Sequence, residues 1–415
     1  MTQHADAGAA GTPRPPLSRL AEPDVLADPY PVLARLRDAS PFAESGGALV
    51  VLGRHADCSR ILRDPRASSE RNRSLLGPPG TPRAQSFLSM DPPDHTRLRR
   101  LVSQAFTPRV IALLQPRVRS LADELLAAAA LAGPPLELVS QLAYPLPVRI
   151  ISELLGVPAE DRSRFAAWSA RLAHSVQPQF GAADTAGPAA AQAARAEFAG
   201  YFRELIAQRR ARPGPDLLSD LIRTEDEGAR LTEDELIATC VLLLVAGHET
   251  TVSLISGAIL ALLRHPAQLA MLRAQPSLAA GAVEETLRYD APVQMTARIA
   301  RGGIQIGSAA APDGAILLLL LAAAGRDPDV FADPDRYDIT RGAANHLAFA
   351  AGPHFCLGAP LARLEAAIVL QAFAGRVVDP ELVADGLAYK ANINLRGPER
   401  LVVGFSAIEA ARPGA

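Results

Sequence analysis

The sequence predicts a mainly α protein with a minor β part, folded as one large domain. Three observations predict it. Apolar residues recur at helical spacing over most of residues 91–290, punctuated by capping and Pro stop signals. One stretch, from Thr232 to about Arg264, is longer than most globular helices. Strand-like pattern is confined to 48–52, 293–322 and the last 30 residues. At about 150 residues per domain the length alone would suggest nearly three domains. No repeat recurs, however, and no linker separates similar-sized halves.

The elements follow in order. Residues 1–16, rich in Ala, Gly, Thr and Pro, read as a disordered tail ahead of a domain spanning 17–406, with 407–415 as a flexible end. Ala48–Leu52 is a short strand after a Gly46-Gly47 turn, and 64–90 reads as a long loop. Asp91-Pro92-Pro93 looks like a cap with first-turn prolines, opening a helix to about Phe106. Further helices are expected at 108–132, 141–156, 160–174 and 187–211. Thr232 with Glu235 fits a capping box for the long central helix, which His265-Pro266 ends. A helix at 277–290 closes at Ala291-Pro292 and another covers 359–375. The β-rich stretch at 293–322 is followed by turns at 326–338. Later turns are expected at Asp385-Gly386 and Gly397-Pro398.

Composition excludes several classes. A net charge of −2 rules out a generally basic nucleic-acid binder. Lys390 is the only lysine, which reads first as the coding bias of a GC-rich genome. Cys58, Cys240 and Cys356 lie far apart, so no disulfide framework is expected and a reducing, cytoplasmic setting follows. No signal peptide is evident at Met1–Pro16. The apolar runs Leu236–Gly247 and Ala315–Gly325 fall short of the ~18 residues a membrane span needs, so a soluble protein is expected.

One cysteine stands apart. In Phe349-Ala-Ala-Gly352-Pro-His354-Phe-Cys356-Leu-Gly358 it lies between two glycines at the start of an apolar helix. A helix start offers backbone N–H groups and a positive dipole end, which lower a thiol pKa. Glycines also let backbone approach something large and flat. The bland alternative is an inert buried cysteine. A second motif lies in the long helix, Ala246-Gly247-His248-Glu249-Thr250-Thr251. Glycine and back-bonding threonines make local helix opening plausible there, and an acid beside an alcohol can pass protons. A zinc-protease H-E-x-x-H fails, because Val252 stands where the second His is needed. Glu285 and Arg288 lie i, i+3 on one helix face, and His95 and Arg99 lie i, i+4 on another. Either pair alone usually marks a solvated surface.

Together and in this order the motifs resemble those of the cytochrome P450 monooxygenases, of the soluble bacterial kind. Phe349, Gly352, Cys356 and Gly358 match the family's haem loop, with Ala350 where the family usually has Gly. The resemblance covers about 17–406. It implies haem b with Cys356 as axial thiolate ligand, which favours O–O cleavage. His95, Arg99, Arg298 and His354 would hold the haem propionates. Ala246 would lie against the haem, and Glu249 and Thr250 would guide protons to dioxygen. Glu285, Arg288 and Arg336 would form a buried structural triad. Gly325-Arg-Asp-Pro departs from the family's Asn-Arg-Asp-Pro, leaving that Asn's hydrogen bonds unaccounted for.

The expected activity is insertion of one oxygen atom from O2 into a lipophilic substrate, in secondary metabolism. Candidate pocket walls are the 70–90 loop, Val245, Val293, Met295, Ile393 and Asn394. No flavin or iron–sulfur segment is present, so the resemblance implies a separate ferredoxin and its reductase. Arg100 and Arg363 are candidate contacts for the ferredoxin. Two alternatives stay open: an oxidase of the same fold that couples rings or desaturates, and a silent member that recruits partners. The retained Cys356, Glu249 and Thr250 speak against the latter.

Overall fold

The computed structural model describes residues 14–76, 86–161, 164, 168, 186–226, 229–342 and 345–411. Most of the expected helix at 160–174 and of the expected tail at 1–16 lies outside these residues, as do 412–415 and the middle of the 64–90 loop.

The helices are α1 Tyr30–Ala39, α2 His55–Ile61, α3 Asp94–Ser103, α4 Pro108–Ala132, α5 Pro145–Leu154, α6 Ala186–Ala211, α7 Leu217–Arg223, α8 Glu233–Arg264, α9 Pro266–Ala274, α10 Ala279–Tyr289 and α11 Ala359–Arg376. α8 is the axis of the helical part. It starts at a complete capping box, in which the Thr232 side chain accepts from Glu235 N and the Glu235 side chain accepts from Thr232 N. It is long and apolar enough to cross a membrane by length and composition alone. Its apolar surface is spent inside the protein, against α5, α6, α10 and α11. Glycine and threonine do not open it, and it runs helical from end to end.

Besides a short hairpin of Glu225–Asp226 with Ala229–Arg230, the strands are β1 Phe42–Glu44, β2 Leu49–Leu52, β3 Ala67–Ser68, β4 Leu136–Glu137, β5 Thr296–Ala300, β6 Ile304–Ile306, β7 Ala309–Ala311, β8 Ile316–Leu319, β9 Val377–Val378, β10 Glu381–Tyr389, β11 Pro398–Gly404 and β12 Ala407–Ile408. The main sheet runs β1-β2-β8-β5-β3. β2 and β8 pair in parallel, and the other neighbours are antiparallel. Alternation decides what each face buries. Val50, Leu52, Leu317 and Leu319 pack with Leu347 and Ala351 of the cysteine loop. Leu49, Val51, Leu318 and Leu320 pack with the N-terminal Leu17, Leu33 and Leu36. The sheet thus joins the N-terminal segment to the cysteine loop.

Some expectations are corrected. Asp91 does not cap α3; its carboxylate accepts from Ser68 Oγ (2.5 Å) and Ser69 N (2.8 Å), tying down the start of the 64–90 loop, which also carries β3. The 141–156 helix is a wide turn at Val139–Ala143 followed by α5. Asp385-Gly386 lies inside β10, where the register against β11 shifts between Leu382 and Leu387. Ala407 and Ile408, expected in a flexible end, pair as β12 with β9 because backbone groups there find partners. α1, α2, α7 and α9 were not expected.

Candidate active site

The cysteine loop is held by its own backbone. Cys356 N donates to Phe349 O (2.9 Å), Phe355 N to Gly352 O (3.0 Å) and Ala350 N to Leu347 O (2.8 Å). Gly352 has φ +68°, and a Cβ there would lie 2.5 Å from Leu62 O, so this position admits only glycine. Ala350 sits at φ +58°, a left-handed conformation that costs a residue with a Cβ. Around the Cys356 thiol, burial dominates and raises the pKa, against the pull of the Gly358 and Ala359 N–H groups and of Arg99 and Arg363. The expected lowering by the helix start is therefore outweighed in the protein alone.

Three segments bring four basic side chains to one side of this loop. The rings of His95, from α3, and His354, from the loop, lie 4.1 Å apart. Arg99, one turn on from His95, donates to Phe355 O (2.5 Å). Arg298, on β5, is buried, and among the described residues its guanidinium bonds only Ala297 O (2.9 Å) and Thr296 Oγ1 (3.4 Å). Both ring nitrogens of His95 are buried without a hydrogen-bond partner. Burial and then the neighbouring cations depress the basic groups: His354 falls to about 3, Arg298 to about 10, and His95 is also lowered. Such a cluster wants an anion.

In the middle of α8, Ala246 is exposed, and Val245, Gly247, Glu249 and Thr250 are partly so, whereas His248 and the stretch Thr251–Ala261 are buried. One flank of the core helix therefore opens onto free space. Thr250 Oγ1 donates to Ala246 O (2.9 Å) and Thr251 Oγ1 to Gly247 O (3.1 Å), the expected back-bonds. Glu249 and Thr250 do not bond to one another. Glu249 Oε2 accepts from Lys390 Nζ (2.7 Å), and Oε1 stands 3.5 Å from His248 Nε2. Burial disfavours its charge, but His248 and Lys390 more than offset this and hold its pKa down to about 2.

Beneath the loop, Glu285 and Arg288 form a fully buried bidentate pair, 2.8 Å at both bonds. Arg336 is not its third member. The Arg336 side chain is exposed and pairs with Asp338, and only its carbonyl oxygen reaches Arg288 (3.1 Å). Arg341 takes the expected place, 3.3 Å from Glu285, and it also binds the carbonyls of Ala332, Asp333 and Arg336. No sequence pattern pointed to it, because the chain doubles back through a turn to bring it there. Gly325, where an Asn was expected, lies against Arg288: a Cβ would come 2.5 Å from Arg288 O, and Arg288 Nη1 donates to Gly325 O (3.0 Å). Arg363 is committed to Glu284 (2.6 and 2.9 Å) and lies over the Phe349 ring, so it supports the loop rather than standing free for a partner.

The candidate pocket residues divide. Val293 packs toward the cysteine-loop side of the sheet. Met295 is 2% exposed and packs on the other side with Leu17 and Leu33, so it is no wall of the cleft. The turn carrying Ile393 and Asn394 is bonded to 292–294 through Gln294 N to Asn394 O (2.9 Å) and Arg396 N to Pro292 O (2.8 Å). Asn394 Oδ1 is buried without a partner. Lys390, missed as a site residue, had its signal in being the chain's only lysine.

The family model described as Cytochrome P450 matches residues 45–374. This chain is a cytochrome P450. It is 44% identical to cytochrome P450 monooxygenase PikC of Streptomyces venezuelae over 92% of each chain. It is 42% identical to vitamin D(3) 25-hydroxylase of Pseudonocardia autotrophica, covering 91% of this chain and 93% of that one. The solved structure of ligand-free Mycobacterium smegmatis CYP164A2 superposes with a TM-score of 0.87 at 46% identity, covering 94% of this chain and 99% of that one. The P450 is accordingly an oxidoreductase, a haem-dependent monooxygenase that takes electrons from redox partners and binds lipophilic substrates.

The residues present fit haem. The orphaned nitrogens of His95, with the buried Arg298 and the half-buried His354, which Asp91 offsets only in part, suit two buried carboxylates. A Cβ on Gly358 would meet nothing within 4 Å, which leaves room beside the cysteine for a flat ring.

Proposed function

We propose that this P450 hydroxylates or epoxidises a lipophilic secondary metabolite in the cytoplasm, with electrons from a ferredoxin and its reductase. The single observation that carries this reading is the cationic cluster of His95, Arg99, Arg298 and His354 gathered beside the Cys356 loop, with both His95 ring nitrogens buried and orphaned. Cys356 would supply the thiolate that holds the haem iron, with Phe349, Gly352 and Gly358 shaping its loop. His95, Arg99, Arg298 and His354 would hold the propionates, and Ala246 would face the ring. When bound, the haem supplies dioxygen activation at a thiolate-ligated iron.

The remaining work belongs to the chain. Thr250, whose hydroxyl is bonded to Ala246 O, lies on the partly exposed flank of α8, and Glu249 lies one residue before it. Together they would hold and move a proton at the cleft side of α8. Val245, Val293 and the 393–394 turn would bound the substrate, and Asn394 Oδ1 offers an acceptor to a substrate hydroxyl or amide within an apolar wall. Glu285, Arg288 and Arg341 would keep the floor beneath the loop rigid.

The test is a type-I spectral screen of lipophilic compounds, followed by turnover with 18O2. Product carrying one labelled oxygen supports the reading. Product that is coupled or desaturated without label favours the oxidase alternative.

A further inference from the structure

The acid of α8 is held by the only lysine in the chain. That lysine opens the turn 390–397, whose neck is closed by Lys390 N donating to Gly397 O (3.2 Å). The turn is seated directly on α8. A Cβ on Gly397 would lie 2.6 Å from Ser253 Oγ and 3.0 Å from Ser253 Cα, so glycine is required for the two to touch. Lys390 Nζ then spans from the turn to Ser253 Oγ (3.4 Å) and Glu249 Oε2 (2.7 Å). The same turn bonds to Pro292 and Gln294, beside the candidate pocket residue Val293.

The groups facing Glu249 are few. Lys390 and Ser253 lie on one side. On the other is His248, whose Nδ1 is bonded to Leu244 O (2.6 Å), which turns Nε2 toward the carboxylate. Behind His248 stands the Tyr144 ring, edge to face at 5.9 Å. Thr250 contributes nothing to Glu249 in this arrangement, because its hydroxyl is bonded to Ala246 O. The carboxylate is thus held through Oε2 by Lys390, while Oε1 stands 3.5 Å from a His248 Nε2 that makes no hydrogen bond to it.

We propose that Lys390 is a positioning residue: it latches Glu249 to the 390–397 turn and must release it when the acid takes part in proton delivery. Because the turn is bonded to the 292–294 wall, a substrate that presses on that wall would loosen the latch. Proton delivery would then be coupled to pocket occupancy. This rests on the monooxygenase reading above, with Glu249 as its acid.

The test uses the haem-loaded full chain. Reductive methylation with 13C-formaldehyde labels Lys390 and, besides it, only the N-terminal amine, since the chain has no other lysine. At a fixed pH the dimethyl-Lys390 13C signal should move when Glu249→Gln removes the carboxylate 2.7 Å from Nζ. Coincident signals in the two proteins would overturn the pairing. The second readout is the pH profile of product formed per O2 consumed, with a substrate from the type-I screen. Lys390→Met should carry the acid limb to higher pH, because Glu249 loses the cation that keeps it ionised, whereas Lys390→Arg should leave it in place. A Met profile that overlays wild type, or an Arg profile displaced as far as Met, overturns the latch. If the Met variant fails to fold, the labelled wild-type and Glu249→Gln spectra still decide the pairing. A wild-type protein without a red-shifted ferrous–CO band defeats the haem-thiolate reading itself; a normal band with an unmoved profile defeats only the latch.

Discussion

Arg341→Ala should destabilise this P450 far more than Arg336→Ala, although the spacing of the sequence favours Arg336 as the third member of the triad. Arg341 donates to Ala332 O (2.6 Å), Arg336 O (3.0 Å) and Asp333 O (3.2 Å), and approaches Glu285 at 3.3 Å. The three carbonyl contacts are partly open to solvent and are worth about 0.5–1 kcal/mol each. Weakening the support of a fully buried carboxylate adds about 1–2 kcal/mol, because Glu285 keeps only Arg288 and the Asp338 N–H (2.9 Å). The expected loss is about 3 kcal/mol. Arg336 spends its side chain on Asp338 at the surface, so its truncation should leave stability essentially unchanged. Guanidinium unfolding of both holoprotein variants, followed by far-UV circular dichroism, measures the difference. An Arg336→Ala midpoint as low as that of Arg341→Ala would refute the assignment, as would an Arg341→Ala midpoint equal to wild type.

Three other outcomes follow from the same structure. Ala350→Gly should raise the unfolding free energy by up to about 1 kcal/mol, since it relieves a left-handed φ of +58° in the cysteine loop; a lower midpoint would show that the methyl packs usefully. Burial raises the Glu365 carboxyl to about 8, so the folded protein keeps it neutral where the unfolded chain ionises it from 4.5 upward. Its neutral form therefore costs nothing below pH 4.5, and stability falls between there and pH 8, by about 3 kcal/mol at pH 7. Glu365→Gln should flatten that slope in unfolding midpoints compared at pH 5 and pH 8, and an unchanged slope would show the group is not neutral in the fold. Thr250→Ala should let oxygen consumption continue while product falls and peroxide rises, and unchanged coupling would remove Thr250 from proton delivery.

The parts legible in the sequence were those fixed by local rules. The Thr232–Glu235 capping box and the long apolar period placed α8, and the glycines around Cys356 marked the loop before α11. The cationic cluster was readable because His95–Arg99 and His354 sit in recognisable strings. What stayed hidden depends on chain return. Arg341 reaches Glu285 only after the 326–340 turns fold back, and Lys390 reaches Glu249 from 141 residues away. Met295 reads as a wall residue, yet its neighbours on the sheet turn it to the opposite face. Asp91 resembles a helix cap because its proline context does, but two serines of the preceding loop compete for its carboxylate and win.

Ligation of haem by Cys356 is tested most directly by the ferrous–CO spectrum of the purified protein. A strongly red-shifted Soret band that disappears in Cys356→Ala is the expected result. An unshifted band in correctly folded wild-type protein, or a shifted band that survives Cys356→Ala, would contradict it.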